Sequence, residues 1–234
     1  MKARKVLEHL GGLLVVGLIA LGFMARQAGY SMSDLPQLVG QNLSGVVTGW
    51  GGGDAKFSAD YEFIAVDENN APVTFADDLI KFAIDESVSP SDEASIRAAF
   101  ENTAAASRFK FEYIGRTGFD ATMTNLNQSP ATIVVSYTAK GATDVFNNMP
   151  SDTVAVGYSV VQEDVRIRGA VVVSEPDAVH GESLERLIMH ELGHVLGLGH
   201  AESATQVMGP HMQGSYPAEW GSGDLRALEL LSRD

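Results

Sequence analysis

The chain has 234 residues, no cysteine and a formal net charge of −14. The missing cysteine excludes disulfides, zinc–thiolate sites and a cysteine nucleophile, and a chain of this length can bury a core without bridges. The acidic surface repels nucleic acid and anionic lipid, so no nucleic-acid partner is expected; it favours solubility, with calcium held by some of the Asp and Glu residues as the second reading.

Lys2, Arg4 and Lys5 precede an apolar, uncharged run over residues 10–25, and Arg26 closes it. A basic flank before an apolar stretch is an export signal. The charge bias leaves the N-terminus in the cytoplasm and sends the rest of the chain across. Residues 1–28 therefore read as an export signal or a membrane anchor, and the protein as extracytoplasmic, either tethered or secreted after cleavage. Residues 29–56, which include Gly51-Gly52-Gly53, have the composition of a flexible linker. Residues 57–234 read as one catalytic domain, expected to act as a monomer.

Within that domain, residues 79–84 alternate as a strand, and 61–66 offer an earlier one. A helix is predicted over 91–107, with Ser91 as N-cap and Ile96, Ala99, Phe100 and Ala104 as its apolar stripe. Strands follow at 109–114, 131–137, 154–158 and 166–173. Two helices complete the pattern, one starting after an N-cap at Ser183 and one near 224–231. This order predicts an α+β domain, a mixed, roughly five-stranded twisted sheet with helices packed against it.

The chemistry lies in His190-Glu191-Leu192-Gly193-His194-Val195-Leu196-Gly197-Leu198-Gly199-His200. On a helix His190 and His194 stand about 40° apart and one turn from each other, so both can reach one metal ion. Glu191 lies about 100° round from His190, beside the metal, where its carboxylate can take a proton from water on the ion. A continuing helix would carry His200 about 240° round and about 9 Å away from His194. The helix must therefore end between them, and Gly197 is the residue that can end it. Three histidines leave a fourth tetrahedral position open, which is the mark of a catalytic zinc site.

This segment resembles the metzincin zinc signature HExxHxxGxxH, and its Leu-Gly-Leu-Gly-His ending is similar to that of matrixins. Met208 and Pro210 follow His200 at the family's spacing. The resemblance implies an α/β-type metzincin catalytic domain with an active-site helix, a Met-turn and a C-terminal helix. It implies one catalytic Zn2+ on His190, His194 and His200, with Glu191 as general base. Gly197, Met208 and Pro210 would support the site, with Met208 packed beneath it. It also implies a polypeptide substrate paired to the strand at 154–158.

Two departures stand out. Outside the motif only His9, His180 and His211 remain, too few for the second, structural zinc of many animal matrixins, and no cysteine is available for their latency latch. Met212 stands where the family often has Tyr, which leaves the specificity-pocket wall open, and Tyr216 is a candidate oxyanion donor. The function expected is zinc endopeptidase. The rivals are a zinc- or peptide-binding module without turnover and a metallohydrolase of a non-peptide amide.

Overall fold

The computed structural model describes residues 46–48, 60–147, 149–174, 179–209 and 217–231. The export or anchor segment 1–28 lies outside them, as do Pro210, His211, Met212 and Tyr216. Among the described residues no helix is long and apolar enough to cross a membrane.

The elements are β1 (Val46–Thr48), β2 (Leu79–Asp85), α1 (Glu93–Ala106), β3 (Lys110–Thr117), β4 (Ile133–Tyr137), β5 (Ala155–Gln162), β6 (Val165–Val173), α2 (Gly181–Leu196) and α3 (Ser222–Leu231). The strands form one mixed sheet in the order β1-β5-β6-β4-β2-β3. Strands β3, β2, β4 and β6 run parallel to one another, whereas β5 is antiparallel to both β6 and β1. The five strands β2 to β6 are those expected from the sequence. The sixth, β1, falls inside the stretch read as a linker, and its Val46, Val47 and Thr48 pair with Val160, Ser159 and Tyr158 of β5.

Side chains alternate across a pleated sheet, and here both faces are covered. Ile80, Phe82 and Ile84 of β2, Ile133 and Val135 of β4, and Val171 and Val173 of β6 pack with α1, α2 and α3 into the main core. Val156, Tyr158 and Val160 of β5, with Ala170 and Val172 of β6, face the other way onto Ala121, Met123, Leu126, Val145 and Phe146 of the long loops. Strand β4 is buried along its whole length, which explains its unbroken apolar run.

Two predicted caps move. Helix α1 starts at Glu93 with Asp92 as N-cap, whose carbonyl accepts the Ile96 N–H at 3.0 Å, while the Ser91 hydroxyl pairs with Ser89 at 2.8 Å. Helix α2 starts at Gly181 with His180 as N-cap, so Ser183 sits inside its first turn. There Glu182 takes the Ala218 N–H at 3.4 Å, an acidic side chain at the positive end of the helix. The segment 61–66 forms isolated bridges, Phe63 to Leu198 and Val66 to Pro72, rather than a strand. Strands β5 and β6 are longer than expected and close into a hairpin through Glu163 and Asp164, both at positive φ (51° and 60°).

Candidate metal centre

Helix α2 crosses strands β5 and β6 and packs against α1. This places the middle of α2 under β5. A Cβ at Gly157 would collide with the Glu191 backbone carbonyl, so only glycine lets strand and helix approach this closely. The approach also brings the Gly157 N–H to Glu191 Oε2, at 2.5 Å.

The three motif histidines converge. Their ligating nitrogens all lie within 4.8 Å of one another, and the His190 and His194 Nε2 atoms are 3.1 Å apart. The other nitrogen of each of these two rings is engaged: His190 Nδ1 meets the Val207 carbonyl at 2.7 Å and His194 Nδ1 the Leu198 carbonyl at 2.8 Å. A carbonyl oxygen only accepts, so both Nδ1 atoms carry the proton and both Nε2 lone pairs face inward. Two lone pairs at that separation repel unless a cation lies between them. Nitrogens about 2.0–2.1 Å from a tetrahedral zinc sit about 3.3 Å from each other. The donor set fits such an ion.

Gly197 ends the helix as predicted. It takes φ 123° as the C-cap, and its N–H reaches the Gly193 and His194 carbonyls. The Leu198 N–H also donates to Gly193 O, at 2.9 Å. The turn that follows is held by a segment whose role the sequence did not reveal. Ile64 N–H donates to Gly197 O at 2.9 Å and Gly199 N–H to Glu62 O at 2.8 Å. Buried Arg166 packs against the same turn. Its Nε donates to Val73 O at 2.9 Å, and it also donates to Ser159 Oγ.

Met208 is buried and fills the space that a side chain at Gly193 would need. Its turn is fixed from α3, where Asp224 accepts the Val207 N–H at 2.6 Å and the Met208 N–H at 3.3 Å. Of the predicted site residues, the structure brings together His190, His194, His200, Glu191, Gly197 and Met208; Pro210 lies outside the described residues. His180 sits apart, beside Asp92. Sequence reasoning missed Gly157, Arg166 and Arg186. Only Gly157 carried a signal, a glycine inside a strand.

Burial dominates the electrostatics. It pushes His190 down to about 4, and His194 well below its ordinary value. It pushes Glu191 up to about 8 against the opposing pull of the Gly157 N–H. Stability rises with pH wherever the unfolded chain holds more protons. Between the histidines' lowered values and 6.5, the unfolded chain protonates both and the folded chain does not. Between 4.5 and about 8 the folded chain holds a proton on Glu191 that the unfolded chain releases. Below 6.5 the two histidines outweigh the one glutamate and stability climbs with pH; above 6.5 only Glu191 differs, and stability declines. These three groups by themselves favour a maximum near pH 6.5, while the raised carboxyls of Glu62, Asp120, Glu185 and Asp224 act against the climb below it. Denaturation midpoints across pH read this directly. The Glu191 part is read as a difference: the Glu191→Gln midpoint should gain on wild type between pH 4.5 and about 8, and a difference that does not change with pH there would contradict the assignment.

Three histidines able to hold one metal ion, two on the helix beneath a mixed sheet and the third on the turn past its end, are the class that fold and site define. The matrixin family model matches residues 51–230. The chain belongs to the matrixin family, whose members are metalloendopeptidases with a catalytic zinc. A comparison with curated proteins finds no match.

Proposed function

We propose that this chain is an extracytoplasmic zinc endopeptidase, with Zn2+ held by His190, His194 and His200 and with Glu191 as general base. The observation that carries this reading is the placement of the Glu191 carboxylate. It sits on the metal helix one residue from His190 and is held by the Gly157 N–H of β5. When bound, the ion polarises the scissile carbonyl and acidifies its water to a pKa of roughly 7.

The chain's own residues do the rest. Glu191 accepts the proton of the attacking water on its carboxylate and passes it to the departing amine nitrogen. Beside a bound divalent charge Glu191 would titrate below its metal-free value and so would hold its carboxylate ready to accept. The peptide lies extended along the outer side of β5 at Ala155–Gly157, where β1 leaves off at Tyr158. Main-chain pairing at that edge would hold it, in the manner of an added strand. The antiparallel pairing of β1 with β5 supports this reading, since the same edge already accepts an extended segment at Tyr158–Val160.

Export is supported by Lys2, Arg4 and Lys5 ahead of the apolar run over residues 10–25. A binding module without turnover has no use for Glu191, which favours the enzyme. Metal analysis and a casein-type assay test the reading. The expected result is one zinc per chain and hydrolysis that a chelator stops and zinc restores. Zinc-loaded wild type that cleaves no protein substrate would sink it, and cleavage confined to small non-peptide amides would favour the other hydrolase.

A further inference from the structure

We propose that Arg186 is a positioning residue for the metal ligand His190, acting jointly with Asp224 through the backbone of residues 206–208. This rests on the metal-centre reading above and names a part of it that the zinc signature does not contain.

Arg186 stands one helical turn before His190 on α2, on the same face. It is 5% exposed. A guanidinium buried among apolar side chains is unfavourable unless its donors are used. Here they go to backbone carbonyls: Gln206 O at 2.7 Å, Thr205 O at 3.5 Å and Pro217 O at 2.8 Å. His190 takes the next carbonyl, Val207 O, at 2.7 Å. Consecutive turns of the metal helix thus grip consecutive carbonyls of the Met-turn.

Asp224 grips the same two peptide units from the opposite side. Its Oδ2 accepts from Val207 N–H at 2.6 Å and its Oδ1 from Met208 N–H at 3.3 Å. The 206–207 peptide therefore lies between a cation on its carbonyl and an anion on its N–H. Both charge-assisted bonds are of the strong kind, and they polarise the amide in the same sense. The 207–208 peptide lies between Asp224 and His190 itself. Neither plane can rotate without breaking a bond to a buried charge or to a ligand. The Val207 carbonyl that fixes the His190 tautomer and ring angle is held in consequence. Arg186 also ties Pro217 to this point, so the chain leaves the Met-turn and returns to α2 under one guanidinium.

The test is zinc competition against a chromophoric chelator, with the visible spectrum of the cobalt-substituted protein and melting of the metal-free form. Arg186→Leu should weaken zinc binding by about 10–100-fold, the usual effect of losing a partner that orients a ligand, and should perturb the cobalt bands. Arg186→Lys, which restores a charged donor, should recover most of the affinity. Should the leucine variant fail to fold, Arg186→Gln carries the same test, keeping a neutral donor with an intermediate loss expected. A folded variant with a lowered melting temperature but wild-type zinc affinity and cobalt spectrum would overturn the proposal, since a purely structural arginine behaves that way. A wild-type chain that takes up no zinc overturns the metal centre and this role together.

Discussion

Glu191→Ala is expected to keep its zinc and to lose hydrolysis of unfolded protein substrates by about 10²–10⁴-fold, the usual contribution of a positioned general base. Zinc should stay because Glu191 is not among the grouped ligands, and the carbonyl partners of His190 and His194 are untouched. The rate should fall because the carboxylate held against β5 at this point is that of Glu191, which accepts the Gly157 N–H at 2.5 Å. The change also leaves that N–H without its partner, at a cost of about 1–3 kcal/mol if water cannot enter. Removing a carboxyl whose charge burial disfavours offsets part of this. Metal content, melting temperature and initial rates on the same preparation separate these effects. A fully active, zinc-replete variant would refute the role assigned to Glu191.

The helix-borne half of this site was legible in the sequence because its geometry is local. A spacing of four positions from His190 to His194 defines about one helical turn whatever surrounds it, and only a residue like Gly197 permits the turn that returns His200. The strands were legible where burial on both faces leaves an unbroken apolar run, as in β4. What failed to show was long-range. The 62–64 segment holds the His200 turn by backbone bonds, from Ile64 N–H and to Glu62 O, and backbone bonds leave no side-chain pattern. Arg166 and Arg186 look like surface residues in the sequence and are buried in the structure, because their donors find carbonyls far along the chain. The β5–β6 hairpin escaped because Glu163 and Asp164 supply its positive φ values, where a two-residue turn usually has Asn or Gly.

Gly197→Ala should unlink the third ligand. At φ 123° an L-residue costs on the order of 1–3 kcal/mol. A Cβ there would also lie 2.8 Å from Val73 O and 3.1 Å from Arg166 Nε. Both contacts belong to the packing that closes the turn, so neither gives way without moving it. The alternative for the chain is to let α2 run on, which swings His200 about 240° around the axis and about 9 Å along it relative to His194. Either route takes His200 off the metal, so zinc affinity should fall by more than the roughly 10–100-fold typical of changes outside the ligands. Gly115→Ala is the control. Gly115 has φ 106° with nothing within 4 Å of its would-be Cβ, so it should lose stability from backbone strain and keep zinc affinity. Denaturation of both metal-free variants, with zinc titration of each, tells strain from ligand loss. If Gly197→Ala binds zinc as tightly as wild type, His200 does not depend on this turn, and the coupling of glycine to third histidine is wrong.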